Sequence, residues 1–87
     1  MVDQQEEALN AYIDLVHFLA SSLLSEEVEI DVQGEAGRDQ LRLFLHVPEE
    51  HRGRVIGKGG RIARAMRTIL NSAAIPNHKP VVLDIID

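Results

Sequence analysis

The chain carries, at residues 55–62, the sequence Val55-Ile56-Gly57-Lys58-Gly59-Gly60-Arg61-Ile62. Glycine adopts left-handed backbone conformations without steric cost and lets a ligand approach the backbone closely. Apolar residues at helical spacing flank the three glycines, so we expect a turn between two helices. The start of the second helix would present backbone amides to an anion such as phosphate. A tight helix connection, in which glycine only relieves strain, is the simpler alternative.

Two better-known phosphate-binding loops do not fit this segment. A P-loop has four residues between its first glycine and the Gly-Lys-Ser/Thr element, but only three separate Gly53 from Gly57, and Gly59 follows Lys58. The dinucleotide-binding fingerprint needs a third glycine at position 62 and a strand directly before the turn, and we expect neither. The segment therefore argues against nucleotide hydrolysis and against a dinucleotide cofactor.

The charge of the chain is distributed unevenly around this segment. Residues 1–50 contain twelve acids and two bases, a formal charge of −10, whereas residues 51–87 contain seven bases and two acids, a formal charge of +5. A window without acids, residues 52–67, holds six bases: Arg52, Arg54, Lys58, Arg61, Arg64 and Arg67. This window is a candidate anion site despite the net charge of −5. A solvated basic helix paired with the acidic half is the alternative.

Hydrophobic periodicity predicts the remaining elements. Apolar residues recur at helical spacing from Glu6 to about Leu24, and again after Gly60 as far as residue 73. Alternation predicts a strand at 28–32 with a turn at 34–37, and a second strand at 41–47 that ends at Pro48. A short helix would follow over residues 48–56, residues 71–80 form a loop, and the β-branched residues 81–86 form the third strand. The two helices between the second and third strands favour parallel pairing of those strands.

These elements give an α+β fold with the order α-β-β-α-(GxxG)-α-β, in which residues 55–62 resemble the signature of the KH (K-homology) RNA-binding domain. The resemblance continues through Arg67-Thr68-Ile69-Leu70 and covers almost the whole chain. The sequence is most similar to the small bacterial single-KH family called KhpA, or YlqC. This resemblance implies one type II-like KH domain over residues 1–87, with an N-terminal helix at 1–25 and a KH core at 26–87. Its three-stranded mixed sheet would carry the helices on one face.

The resemblance also implies a function and a set of site residues. Proteins of this family are regarded as non-enzymatic, cytoplasmic RNA chaperone-like regulators that bind single-stranded RNA. They form homodimers, and they pair with a second KH protein, KhpB (Jag or EloR). Residues 57–60 would approach the phosphates, basic residues would flank the RNA backbone, and apolar residues would line the groove for the bases. The implied RNA-binding residues are Arg54, Val55, Ile56, Gly57, Lys58, Gly59, Gly60, Arg61, Ile62 and Arg64. The loop at 75–79 departs from the usual basic loop of the family.

Other functional classes find less support in the residues. The chain has no cysteine, and its four histidines lack metal-ligand spacing, so we expect no metal site and no cofactor. No nucleophile is identifiable, so we expect no catalysis. The acidic N-terminus is unlike a signal peptide, and no apolar run approaches the ~20 residues of a membrane span, so we expect a soluble protein without membrane contact.

Three assignments stay open on the sequence alone. Arg67 would either contact the groove or only keep its helix soluble. Phe44, with Val82 and Ile86, would form an apolar strip on the sheet face away from the helices, either as an interface or as an ordinary surface patch. The alternative to RNA binding as the main function is a protein-interaction adaptor that uses the KH fold for dimerisation and binds RNA weakly.

Overall fold

The computed structural model of the chain describes residues 4–25, 27–73 and 79–86. In chain order its elements are α1 (Gln4–Leu23), β1 (Asp31–Ala36), β2 (Leu41–His46), α2 (Glu49–Ile56), a 3₁₀ turn (Lys58–Gly60), α3 (Arg61–Ser72) and β3 (Val81–Ile86). This order confirms the predicted α+β fold. The predicted loop falls largely on residues 74–78, which lie outside the described residues.

The three strands form one mixed sheet in the order β1-β2-β3. β1 pairs antiparallel with β2, and β2 pairs parallel with β3, with Leu41 opposite Val81 and Phe44 opposite Asp84. Both pairings agree with the prediction. β3 is therefore an edge strand with one side free of strand partners.

The predicted bounds of the first strand were wrong. β1 begins at Asp31 and continues through Gly34, and the turn falls at residues 37–40, where the Gly37 amide donates to the Gln40 carbonyl at 2.8 Å. A Cβ atom at Gly34 would lie only 2.8 Å from Cδ1 of Leu9. Gly34 thus serves the close approach of α1 to the strand rather than a turn.

The core lies between the sheet and a single layer of helices. β2 alternates as predicted, with Leu41, Leu43 and Leu45 fully buried and the residues between them partly or fully exposed. The core residues from the rest of the fold are Ala8, Tyr12, Val16, Ala20, Leu24, Val47, Val55, Met66, Leu70, Val81 and Leu83. Burial of these side chains positions α2 and α3, and with them the glycine turn, at one end of the sheet.

Candidate nucleic-acid interface

The turn between α2 and α3 requires glycine at three positions. Gly57, Gly59 and Gly60 have φ values of 78°, 65° and 76°, and no other described residue has a positive φ. Gly57, with ψ of 167°, lies in a region that essentially only glycine occupies, and a Cβ atom there would meet Cγ1 of Ile62 at 2.6 Å. Gly59 and Gly60 are left-handed but have open space beside them, because a Cβ atom at either position would have no neighbour within 4 Å beyond the adjoining backbone. The space above these two glycines is available to a ligand.

The turn leads directly into the start of α3. Gly60 is the N-cap of this helix, and no side chain caps its first turn. The Gly60 and Arg61 amides donate to the carbonyls of Gly57 and Lys58 within the turn, so the helix start contributes chiefly the positive end of its dipole beside the open glycines. Gly59, Gly60 and this helix start together form a surface suited to an anion.

Four basic side chains surround the turn. Arg54 precedes it on α2, Lys58 lies at its tip, and Arg61 and Arg64 follow on α3; all four residues are exposed. None of the four forms an ion pair with another described residue. For these four residues, pairing with the acidic half of the chain, the alternative interpretation of the basic window, is thus not seen within the described residues. The four cations remain available to neutralise phosphates.

A groove of 390 Å³ runs beside the turn, between α2 and α3 on one side and β3 on the other. Ile56, Gly60 and Ala63 line the helical side, where Arg67 also lies. Four residues line the sheet side: Phe44, Asp84, Ile85 and Ile86. The groove is mainly apolar, and its charged lining residues are Arg67 and Asp84. It opens next to the surface suited to an anion.

The free edge of β3 forms part of this groove. The Leu41 and Val47 amides donate to the carbonyls of Pro80 and Ile86. The backbone amides and carbonyls of even-numbered β3 residues therefore point toward β2, and those of odd-numbered residues point to the free edge. Asn71 accepts from the Val81 amide and donates to its carbonyl, at 2.9 and 3.1 Å. Of the other two outward-facing residues, Leu83 accepts from a side chain of α3, whereas no described side chain bonds the backbone of Ile85 at the groove end, so its amide and carbonyl are open to a ligand.

Arg67 lines the groove, as one of its two predicted roles requires, and it has a further role that the sequence did not indicate. Its Nε and Nη2 atoms donate to the Leu83 carbonyl at 3.2 and 3.0 Å. The guanidinium therefore fixes α3 against the edge of β3 while it lines the groove. Arg67 is a positioning residue for the groove rather than a purely solubilising one.

The sequence model of the family described as "KhpA/KhpB, KH domain" matches residues 13–85, which include the glycine turn, its four cations and the whole groove. The chain belongs to the KhpA/KhpB KH-domain family. Curated relatives named RNA-binding protein KhpA support this: the protein from Clostridium perfringens is 42% identical over 73 residues, which cover 84% of this chain and 97% of the relative. The protein from Borreliella burgdorferi is 37% identical over 75 residues, covering 86% and 92% of the two chains. That from Aquifex aeolicus is 37% identical over 79 residues, covering 91% and 100%. No solved structure matches the chain.

In this KhpA/KhpB domain, the groove is built partly from residues that differ from those the sequence predicted. Ile56 lines it as predicted, but the Val55 side chain is fully buried in the core and does not reach the groove. Ile62 packs beneath Gly57 and is not among the lining residues. The sequence analysis missed Asp84 and assigned Phe44 to a separate strip. The alternation of β2 and β3 puts both side chains on the outer sheet face, and only the register of the two strands shows that they are direct partners beside the groove.

The apolar strip predicted on the outer sheet face of this KhpA/KhpB domain is interrupted. Asp84 lies between Val82 and Ile86 on β3, and its carboxylate is 3.9 Å from Nη2 of Arg42. The Arg42 guanidinium in turn lies 5.6 Å from the centroid of the Phe44 ring. Charged side chains thus divide the strip, which weakens its interpretation as an apolar interface.

Other parts of the KhpA/KhpB fold are less suited to an anionic ligand. A larger cavity of 500 Å³ lies where β1 begins and β2 ends, but the acidic residues Glu29 and Asp31 line it beside His46. No cluster of three or more metal-ligating side chains occurs within residues 4–25, 27–73 and 79–86. None of the helices in that part of the chain combines the length and apolar character that crossing a membrane requires.

Proposed function

We propose that this protein is a non-enzymatic RNA-binding module that binds short single-stranded RNA through its GxxG turn. The observation that carries this proposal is the combination of an open left-handed glycine turn, an uncapped helix start and four cations without ion-pair partners beside an apolar groove. Phosphates would bind at Gly57–Gly60 with Lys58, Arg54, Arg61 and Arg64, and bases would enter the groove. The RNA-binding names of its curated relatives support the same ligand.

The geometry favours short contacts in which few base positions are discriminated. The groove is small, and most of the side chains that line it are apolar and do not distinguish one base from another. A KH turn of this kind clamps about four nucleotides. We therefore propose that the protein acts in the cytoplasm as an RNA chaperone and post-transcriptional regulator. Such a role requires transient binding to many different RNAs, which short contacts allow.

The salt dependence of RNA binding tests the proposed function. If three or four cations neutralise phosphates, log K should fall against log salt with a slope of about −2 to −3, because a single strand contributes about −0.7 per contact. Affinity for a fluorescein-labelled decauridylate, measured by anisotropy, should then fall roughly 20- to 50-fold between 50 and 200 mM salt. Arg38→Gln removes a base outside the window and should leave the slope unchanged, whereas Arg64→Gln should reduce it by about 0.7. Absence of RNA binding at the lower salt concentration would contradict the proposed function.

A second candidate function, a protein-interaction adaptor, is favoured by exposed apolar side chains on the helix layer. Phe18 on α1 is 67% exposed and Ile69 on α3 is 43% exposed, the two highest values for large apolar residues that the structure describes. The two helices contact one another, and the sheet face offers a more charged surface. We propose that this helix layer forms a homodimer, or a heterodimer with a KhpB-like KH protein, in addition to binding RNA.

Substitution of Ile69 tests the dimer. Ile69→Glu should raise the dissociation constant of the homodimer about tenfold or more, because a carboxylate would lose water in the interface. Sedimentation equilibrium of the full chain measures this change, and Val82→Glu on the sheet face is the matched control. A stronger effect of Val82→Glu would instead place the interface on the sheet, and a monomeric wild type would contradict the dimer.

A further inference from the structure

We propose that Phe44 and Asp84 form a base-binding subsite that prefers guanine. This inference rests on the proposed RNA binding and adds a base preference to it. The two residues are direct partners in the β2-β3 register, and both line the groove on its sheet side. Neighbouring strands lie about 4.8 Å apart, so a planar ligand on one side chain reaches the other.

Phe44 supplies a surface for stacking. Its ring is half-buried and forms part of the groove wall, and the Arg42 guanidinium lies 5.6 Å from its centroid, so a base would stack on the side of the ring that faces the groove. It is the only aromatic residue among those that line the groove. A base stacked on an aromatic ring typically gains about 5- to 150-fold in affinity, judged by alanine substitution, and the gain depends little on base identity. Phe44 would therefore hold a base in the groove without selecting it.

Asp84 supplies the selection. Its carboxylate is half-exposed, and the Arg42 contact at 3.9 Å is longer than a hydrogen bond, so its lone pairs remain available to a ligand. An ionised carboxylate only accepts hydrogen bonds and repels phosphate. Within an RNA-binding groove, Asp84 should thus face the edge of a base and not the backbone.

Guanine offers the best partner for an acceptor with two oxygens. Its N1–H and N2–H₂ groups are adjacent donors on the Watson–Crick edge and match both carboxylate oxygens at once. Adenine and cytosine each present one amino donor beside an acceptor nitrogen, and uracil presents one donor between two carbonyl acceptors. The expected order of preference is therefore guanine first and uracil last, with a difference of about tenfold or more for a bidentate pair.

A set of labelled decamers tests this order by fluorescence anisotropy. Each decamer is oligouridylate with one central guanine, inosine, adenine or uracil, and inosine lacks the N2 amino group. The proteins are the wild type, Asp84→Asn, Phe44→Leu and the matched control Glu35→Gln, which removes one acid from the same sheet face outside the groove. Thermal unfolding by circular dichroism checks that each variant is folded.

We expect the wild type and Glu35→Gln to bind the guanine decamer about tenfold more tightly than the uridine decamer, with inosine between them. Asp84→Asn should lose this preference without loss of affinity for the uridine decamer, and Phe44→Leu should weaken binding of all four. Equal binding of all decamers by the wild type, or an unchanged preference in Asp84→Asn, would overturn the subsite while leaving RNA binding intact. Absence of binding to every decamer would overturn the proposed function and the subsite together.

Discussion

Replacing Lys58 and Gly59 together by aspartate should weaken binding of a single-stranded RNA by about 100-fold or more. The change removes one positive charge and adds two negative charges at the tip of the turn, where phosphates are proposed to lie. One unit charge about 4 Å from another contributes ~1 kcal/mol even in water, so three units correspond to ~3 kcal/mol. Each 1.4 kcal/mol is about a tenfold change in affinity. Anisotropy of a labelled decauridylate at low salt measures the loss.

Two further variants test whether the loss of RNA affinity is specific to the turn. Arg38→Asp with Gln40→Glu changes the net charge by the same amount in the β1-β2 turn, at the opposite end of the sheet from the groove, and should reduce affinity only a few-fold. Lys58→Asp alone keeps all three glycines and should cost about 30-fold, since it changes the local charge by two units. Equal losses in the turn variant and the charge-matched control would mean that net charge, and not the GxxG turn, governs binding.

The elements that sequence analysis placed correctly depend on local signals. The alternation from Leu41 to Leu45 is the period of a strand buried on one face, and the structure buries those residues as predicted. The glycine turn was also predictable, because three glycines within four residues indicate a backbone with positive φ values, which the structure has at all three. The parallel pairing of β2 with β3 followed from the length of the crossover between them.

The parts that sequence analysis missed depend on contacts between distant residues. Gly34 resembles a turn residue, but its role is set by Leu9, which is 25 positions earlier in the chain. Val55 and Ile56 are both β-branched and apolar, and only the rotation of α2 buries the first and leaves the second in the groove. Phe44 and Asp84 are 40 residues apart, so their pairing could emerge only from the register of the sheet.

Gly57→Ala should destabilise the fold by ~3 kcal/mol, the largest effect expected for any alanine in the turn. The new Cβ atom would lie 2.6 Å from Cγ1 and 2.9 Å from the backbone nitrogen of Ile62, and the backbone cannot move away without shifting α3. The residue would also occupy a φ, ψ region of 78° and 167° that only glycine tolerates. For a domain of this size, ~3 kcal/mol corresponds to a fall in Tm of about 12–24 °C.

Alanine substitutions at the neighbouring glycines distinguish the two causes of this destabilisation, the steric contact with Ile62 and the positive φ. Gly59 and Gly60 share the positive φ but have open space, so Gly59→Ala and Gly60→Ala should each cost only ~1–2 kcal/mol. Gly53 lies within α2, has neither a positive φ nor a close neighbour, and Gly53→Ala should raise stability by ~0.5–1 kcal/mol. Thermal and urea unfolding of the four variants gives the order directly. If Gly57→Ala were no more destabilising than Gly60→Ala, the contact with Ile62 would not constrain the turn, and the glycines would be needed for backbone conformation alone.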